Sequence, residues 1–322
     1  MNVPAITADG LVKRYGEVTA LDGLTFEVAA GTVFGLLGPN GAGKSTTIRI
    51  LTTLSRPDAG TATVAGIDVL RRPDDVRRAI GVVTQRASTD PQATGRENLL
   101  LAGRLHGMRG RTVRDRADEL LDRFGLTEAA GRVVRTYSGG MQRKLDVALG
   151  LMHRPRVLFL DEPTTGLDPQ ARSEMWAEIA RLASHERLTV LLTTHYLDEA
   201  DHLADRLAIV DRGRIVATGT AEQLKSELRG DAVVAELAPE VDPVTACSAI
   251  DRLGGITDVT VAGRTVRARV DNGASAVPAV LAALEASGLT ALSITVARPS
   301  LDDVYLRHTG RTFAAAETGA AA

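Results

Sequence analysis

The chain has 322 residues, of which 44% are hydrophobic and 24% charged, and its formal net charge is −2. This length suits about two domains, and the composition is that of an ordinary globular protein. A charge so close to zero argues against a nucleic-acid-binding protein, which usually carries a basic excess or a basic stripe.

Cysteine content and the length of apolar runs indicate the cellular compartment in which the protein works. Cys247 is the only cysteine, so an internal disulfide is excluded and a reducing compartment is the default. No apolar run approaches the ~20 residues that span a bilayer, and the N-terminal residues lack the basic and apolar regions of a signal peptide. We therefore expect a cytosolic protein that reaches a membrane only through a partner.

The first two thirds of the chain alternate between apolar runs and helical patterns. The segments at 6–16 and 20–31 alternate in polarity, which is typical of exposed antiparallel strands. Nearly continuous apolar runs, typical of strands buried on both faces of a parallel sheet, occupy Gly31–Gly38, Arg156–Glu162 and Leu188–His195. Helical patterns lie between these runs, so the predicted class is α/β, and Arg206–Gly219 is predicted to form a hairpin.

Two further regions have residue patterns that differ from those of this core. Residues from about 87 to 150 carry amphipathic, arginine-rich helices and are predicted to form an inserted helical subdomain. After about residue 229 the elements follow the order β-α-β-β-α-β, the ferredoxin-like arrangement. We therefore expect a first domain over 3–228, an α+β accessory or regulatory domain over 229–310, and a disordered tail over 311–322.

A glycine-rich motif, "GPNGAGKST", follows the first apolar strand and precedes a helical pattern, which is the context of a P-loop. Glycines let backbone N–H groups converge on phosphate oxygens, Lys44 brings a positive charge to the β- and γ-phosphates, and the Ser45 hydroxyl can bind Mg²⁺. The alternative is a glycine-rich surface turn, which the flanking strand and helix disfavour. The predicted ATP-binding residues are Gly38, Pro39, Asn40, Gly41, Ala42, Gly43, Lys44, Ser45 and Thr46.

Polar side chains end the other buried strands. Asp161 and Glu162 end one strand, at the crevice where α/β sheets bind ligands, so Asp161 is predicted to bind Mg²⁺ and Glu162 to accept a proton from water. His195 ends another strand at the same edge, which favours a γ-phosphate contact over a structural role. Gln85 also ends an apolar run and could orient water or touch the Mg²⁺ ligands. Tyr15 could stack on a base, although an exposed turn tyrosine is an equal alternative.

A second glycine turn opens the segment "YSGGMQRKLDVALGL" at Tyr137–Leu151. Ser138-Gly139-Gly140 feeds directly into a helical pattern. A turn at a helix N-terminus suits an anion, because free N–H groups and the helix dipole point outward. The segment therefore predicts a second phosphate contact beside that of the P-loop.

Taken in this order, the motifs over about residues 3–225 resemble those of the ATP-binding subunits of ABC transporters. The resemblance implies that Tyr15 stacks on adenine, that Gln85 senses the γ-phosphate and faces a membrane subunit, and that Lys44 is catalytic. It further implies that Asp161 binds Mg²⁺, that Glu162 is the catalytic base and that His195 is the switch histidine.

The signature motif of that family departs from its usual form only at its edges. Tyr137 and Met141 stand where leucine and glutamine are usual, while the Ser-Gly-Gly core is intact. The resemblance implies a homodimer with MgATP held between one chain's P-loop and the other chain's Ser138, Gly139 and Gly140. "TTGLDP" resembles the D-loop, which places Asp168 in the same shared site.

The C-terminal segment "ARPSLDDVYLRHTG" at Ala297–Gly310 resembles the ending of the daunorubicin-resistance type of these subunits. This implies export of a drug, antibiotic or other hydrophobic small molecule through a separate membrane-spanning permease, at the cytoplasmic face of the membrane. The apolar stripe of this segment could equally dock the helix on its own domain. An importer, a lipid or polysaccharide exporter, and a soluble ATPase acting on nucleic acid or ribosomes stay open, the last disfavoured by the charge balance.

Overall fold

The computed structural model describes residues 4–228, 230–238, 243–271 and 273–319 and divides the chain into two units, 1–221 with 311–322 and 222–310. The strands of the first unit are β1 (Ile6–Tyr15), β2 (Val18–Val28), β3 (Val33–Leu37), β4 (Ala59–Val64), β5 (Ile67–Asp68), β6 (Ile80–Val83), β7 (Val157–Asp161), β8 (Thr189–Thr194), β9 (Arg206–Asp211) and β10 (Arg214–Gly219). The helices between and after these strands are α1 (Lys44–Leu51), α2 (Pro73–Ala79), α3 (Gly95–Leu105), α4 (Gly110–Arg123), α5 (Gly139–Leu151), α6 (Pro169–Glu186), α7 (Leu197–Leu203) and α8 (Ala221–Ser226).

Two sheets organise the first unit. The larger has the order β10-β9-β3-β8-β7-β6 and is parallel except for β10, while the smaller has the antiparallel order β2-β1-β4-β5. All residues of β3 and β8 are buried, which explains why neither sequence alternates between apolar and charged residues. The predicted α/β class, the antiparallel strands and the β9–β10 hairpin are confirmed.

Strand β7 shows how the layers stack. Its residues Leu158 and Leu160 belong to an apolar cluster with α3, α4 and α5, whereas Val157 and Phe159 belong to a second cluster with β1, β2 and α1. Because successive strand residues point to opposite faces, the larger sheet lies between the helical region and the smaller sheet. The parallel strands end together, with Leu37 beside Thr194 and Asp161 beside Thr193, which forms the edge that carries the candidate site.

The second unit contains β11 (Asp231–Leu237), α9 (Pro243–Asp251), β12 (Ile256–Ala262), β13 (Thr265–Val270), α10 (Gly273–Ala286), β14 (Ala291–Ala297) and α11 (Leu301–Thr309). Its antiparallel sheet has the order β12-β13-β11-β14. The predicted β-α-β-β-α-β order is confirmed.

Helix α11 carries the C-terminal motif and packs within this second unit. Ser300 and Asp303 form a capping box at its start, and Leu301, Val304 and Tyr305 are at most 2% exposed. These three side chains are therefore buried, and the ion pair of Asp303 with Arg267 at 2.7 Å ties the helix to β13.

The unit boundaries differ from the predicted ones. The first unit ends at 221 rather than 228, because the segment after α8 contacts α11: Arg307 Nη1 donates to the carbonyl of Glu227 at 3.2 Å. Residues 3 and 229, expected to begin the two domains, and residues 320–322 of the expected tail lie outside the described residues.

The tail also differs from the disordered segment that was predicted. Helix α12 spans Phe313–Gly319, Phe313 and Ala316 are 4% and 2% exposed, and Arg311 forms an ion pair with Asp211 at 2.8 Å. Residues 311–322 group with the first unit. The burial of these two side chains and the ion pair with Asp211 explain why this segment is helical rather than disordered. No helix among the described residues has the length and apolar character to cross a membrane.

Candidate functional site

The loop between β3 and α1 has a backbone that only glycine permits at three positions. Gly41 and Gly43 have φ angles of 77° and 108°, in the left-handed region that favours glycine. A Cβ on Gly43 would lie 2.6 Å from the carbonyl oxygen of Ala20, and one on Gly38 would collide with the carbonyl of Val210. The glycines therefore let the loop wrap closely against its neighbours while its N–H groups open towards a ligand at the start of α1.

Lys44 begins α1 and curls back into this loop. Its Nζ donates to the carbonyls of Gly38 at 2.7 Å and Pro39 at 3.0 Å and lies 3.7 Å from Glu162 Oε1. Burial lowers the pKa of the Lys44 ammonium, and Glu162 and Asp161 oppose that shift. The ammonium thus stands at the sheet edge, between the phosphate loop and the carboxylates at the end of β7.

Ser45 and Asp161 bring two oxygen donors together. Ser45 Oγ donates to Asp161 Oδ1 at 3.1 Å, and Thr193 Oγ1 of the neighbouring strand donates to the same oxygen at 2.6 Å. Hydroxyl and carboxylate oxygens are the ligands that Mg²⁺ prefers. This donor set fits Mg²⁺ at Ser45 and Asp161, while Gln85, the third residue that the sequence placed at the metal, donates its Nε2 to Glu162.

Glu162 gathers the other predicted catalytic side chains. Its Oε1 lies 3.2 Å from His195 Nδ1, and its Oε2 accepts from Gln85 Nε2 at 3.2 Å and from Thr165 Oγ1 at 3.3 Å. Burial raises the pKa of the Glu162 carboxyl, but His195, Lys44 and Thr165 outweigh burial and hold that pKa below its ordinary value. The carboxylate is therefore ionised at neutral pH and available as a base.

The backbone of Glu162 is strained. Its φ of 49° is unusual for a residue with a side chain, and such residues cluster at functional sites because surrounding contacts hold them there. The N–H of Glu162 donates to the carbonyl of Thr193 at 3.2 Å. Further contacts that hold this turn come from α5.

Arg143 of α5 is the residue that sequence reasoning missed. It is 8% exposed and donates from Nε to the carbonyl of Pro163 at 2.7 Å and from Nη2 to those of Asp161 and Glu162, each at 3.1 Å. Its Nη1 also donates to the carbonyl of Thr84 at 2.7 Å, one residue before Gln85. The available signal was its spacing, four residues before the buried Val147 on the inward face of α5.

The Ser-Gly-Gly turn lies at the N-terminus of the same helix. Ser138 caps α5 by accepting from the N–H of Met141 at 3.3 Å, and Ser138 and Gly139 are exposed. Asp168 is likewise exposed and caps α6 by accepting from the N–H of Ala171 at 2.8 Å. The structure thus joins Lys44 to the residues around Glu162, whereas the hydrogen bonds of Ser138 and Asp168 are helix caps.

The unusual residues beside that turn have structural partners. Tyr137 donates its hydroxyl to the carbonyl of Ala129 at 2.7 Å, and a Cβ on Gly95 would collide with this hydroxyl. Met141 packs against the apolar cluster of the helical region, and Gln142 Nε2 donates to Thr89 Oγ1 at 3.3 Å. Tyr137, Met141 and Gln142 therefore anchor the turn to its own helical region.

Tyr15, predicted to stack on a base, is 46% exposed at the end of β1. Its hydroxyl lies 3.5 Å from Ser55 Oγ, and Lys13 Nζ lies 5.4 Å from the centre of its ring. The exposed ring has room for a stacking partner.

Two family models match the chain. Residues 21–165 match the model described as "ABC transporter", and residues 219–309 match "ATP-binding protein DrrA1-3-like, C-terminal domain". The first match includes the phosphate loop and the acidic end of β7, and the second covers most of the second unit.

Curated relatives match over nearly the whole chain. The daunorubicin resistance ATP-binding protein DrrA3 of Streptomyces coeruleorubidus is 50% identical over 306 residues, 95% of this chain and 96% of that protein. The Nod factor export ATP-binding protein I of Ralstonia nicotianae is 39% identical over 311 residues, 96% of this chain and 95% of that protein.

Solved structures resemble the larger part of the chain. A dimeric ATP-binding cassette in a post-hydrolysis state, bound to ADP and Pi, superposes with a TM-score of 0.61 and 25% identity. The match covers 67% of this chain and 98% of that one.

Proposed function

Since the chain belongs to the ATP-binding subunits of ABC transporters, of the daunorubicin-resistance type, we propose that it powers export of an antibiotic or other hydrophobic small molecule. The chain is an ATPase whose turnover is coupled to transport. A separate membrane-spanning permease carries the cargo, and the ATPase binds that permease at the cytoplasmic face of the membrane. The resistance named for the Streptomyces relative supports this cargo class.

The convergence of Lys44, Gln85 and His195 on Glu162 carries the proposed chemistry. The glycine loop and Lys44 bind the β- and γ-phosphates of ATP, so the γ-phosphate lies at the sheet edge beside Glu162. Ser45, Asp161 and Gln85 would hold Mg²⁺, which would supply positive charge to the phosphate oxygens. Tyr15 stacks on the adenine.

Glu162 acts as the general base. Its ionised carboxylate accepts the proton of the water that attacks the γ-phosphate, and the hydrogen bonds around it fix its position before the nucleotide arrives. His195, 3.2 Å away, orients the carboxylate and contacts the γ-phosphate. When ATP binds, Lys44 exchanges its two loop carbonyls for phosphate oxygens.

The second half of each site comes from a second copy of the chain. Ser138, Gly139 and Gly140 lie at the start of α5, where free N–H groups suit an anion. The hydrogen bond of Ser138 is a helix cap and does not join this turn to the P-loop of the same chain. We propose that these three residues contact the γ-phosphate bound by the partner chain, with Asp168 at the same interface. The dimeric cassette bound to ADP and Pi supports this arrangement.

The test is the substitution Glu162→Gln, which keeps the shape of the side chain and removes the base. We expect ATP hydrolysis to fall at least ~10²-fold, as for loss of other transition-state groups, while MgATP traps a dimer detectable by light scattering. Glu222→Gln, at an exposed position of α8, is the matched control and keeps full activity. Wild-type hydrolysis by Glu162→Gln would remove Glu162 from the role of base.

The cargo requires a test in cells. A strain that lacks the protein should become more sensitive to hydrophobic antibiotics such as daunorubicin, and wild type but not Glu162→Gln should restore resistance. Export of a different class of compound, such as a lipid or polysaccharide, is the second candidate, since the Ralstonia relative is named for Nod factor export. Unchanged sensitivity to a panel of hydrophobic antibiotics would favour it.

A further inference from the structure

The second unit contains a cavity of about 350 Å³ between β12, β13 and α11. Three arginines line it, Arg267 and Arg269 from β13 and Arg307 from α11, together with one carboxylate, that of Asp303. Leu306 and Val259 supply an apolar part of the wall. The lining thus combines an excess of two positive charges with an apolar surface.

The hydrogen-bonding capacity of Asp303 is largely used. Its Oδ1 pairs with Arg267 Nη1 at 2.7 Å, and its Oδ2 lies 3.5 Å from Arg269 Nη2. The same Oδ2 accepts from both the N–H and the hydroxyl of Ser300, each at 2.9 Å. Asp302, at 3.9 Å from Arg267 Nη1, is the other carboxylate beside this pair.

Two guanidinium nitrogens are left over. Arg267 Nε and Arg269 Nη1 are buried without a hydrogen-bond partner among the described residues, and Arg269 as a whole is only 6% exposed. Buried polar groups are nearly always hydrogen-bonded, and each guanidinium offers five N–H donors in a fixed plane that suits oxyanions. The arginines that line the cavity therefore carry N–H donors that the described part of the chain does not use.

We propose that this cavity binds a phosphate group, either free phosphate or the phosphomonoester of a small molecule whose apolar part lies against Leu306 and Val259. Asp302 beside Arg267 reduces the local excess to one positive charge, which still suits an anion, and a phosphate offers several acceptor oxygens to the planar guanidinium donors. Bound there, the phosphate bridges β13 and α11 through Arg269 and Arg307. The ligand would therefore fasten the helix that carries the C-terminal motif.

The experiment is calorimetric titration of the full chain, saturated with Mg²⁺ and a non-hydrolysable ATP analogue so that the P-loop is occupied. Inorganic phosphate and phenyl phosphate are the two probes. We expect saturable binding that is weakened at least tenfold in Arg269→Met and in Arg307→Ala, and unchanged in Arg252→Ala, an exposed arginine outside the cavity. Because Arg307 is exposed, its variant keeps the test valid even if Arg269→Met misfolds.

The two probes distinguish the sources of the phosphate. Tighter binding of phenyl phosphate identifies a phosphomonoester ligand, whereas equal or weaker binding identifies free phosphate. Hydrogen exchange of the amides in β13 and α11 should slow when either binds. The proposal is overturned if neither probe binds, or if binding survives both Arg269→Met and Arg307→Ala.

Discussion

Replacing Arg143 with methionine removes the hydrogen bonds that hold the strained turn at Glu162. The guanidinium donates to four backbone carbonyls, those of Thr84, Asp161, Glu162 and Pro163. Methionine fills most of the space of the stem but removes the guanidinium donor from all four carbonyls. The substitution therefore tests whether α5 positions the catalytic base.

The expected magnitude follows from burial. A hydrogen bond to a charged group contributes ~1.5–3 kcal/mol, but the four are not additive because they share one side chain. Breaking a buried charged cluster by removing one partner costs ~3–5 kcal/mol, and a left-handed residue such as Glu162 stores ~1–3 kcal/mol that is released when its supports go. We expect a net loss of about 3 kcal/mol in the free energy of unfolding.

Activity should fall further than stability alone explains. A displacement of ~1 Å in a catalytic group can cost ~10²-fold in rate, so we expect kcat of Arg143→Met to fall ~10–10²-fold while KM for ATP changes little. The assays are urea denaturation and steady-state ATP hydrolysis at a temperature where the variant is fully folded.

Lys144→Met is the matched control for this substitution. Lys144 follows Arg143 on the same helix, but its side chain is 26% exposed and pairs with Glu174 at 2.6 Å. A partly exposed pair of this kind contributes ~0–1 kcal/mol, so activity and unfolding free energy should stay near wild type. Equal behaviour of Arg143→Met and Lys144→Met would refute the role assigned to Arg143.

Two further outcomes are expected. Gly95→Ala should destabilise the protein by ~1–3 kcal/mol, because the added methyl group collides with the hydroxyl of Tyr137, and a double-mutant cycle by thermal melting should show a smaller effect in the Tyr137→Phe background. Burial lowers the pKa of His153 to about 4, so an unfolded chain binds the proton more readily and stability should decline as pH falls from about 6.5 towards 4. His153→Gln should flatten this decline in melting temperature, whereas the exposed control His185→Gln should leave it unchanged; identical profiles for both would contradict the assignment.

Much of the candidate site followed from strand ends in the sequence. Because parallel strands finish at one edge of a sheet, the sequence placed Glu162 and His195 together, and they lie 3.2 Å apart. The P-loop was equally readable, because its glycines are required by backbone geometry rather than by distant packing. Such features depend on local pattern and on a general rule of sheet architecture.

Contacts between segments far apart in the chain could not be predicted from the sequence. Arg143 precedes Lys144 in a polar stretch, and only the tertiary fold turns one inward to Glu162 and the other towards solvent. The tail was predicted to be disordered from its small, alanine-rich composition, yet Arg311 pairs with Asp211, a hundred residues away. Tyr137 fits because Gly95 leaves space for it, a pairing that no local pattern reveals.

The shared site between two chains is tested most directly by mixing two inactive variants. Lys44→Ala damages a chain's own phosphate loop, and Ser138→Arg blocks the turn it offers to its partner. Each alone should hydrolyse almost no ATP, but in a mixed dimer one site combines an intact loop with an intact turn. The ATPase rate of an equimolar mixture should therefore recover to about a quarter of wild type, since half of the dimers are mixed and each has one of two sites intact. A mixture that stays inactive, or a Ser138→Arg chain that turns over fully alone, would contradict a site shared between two copies.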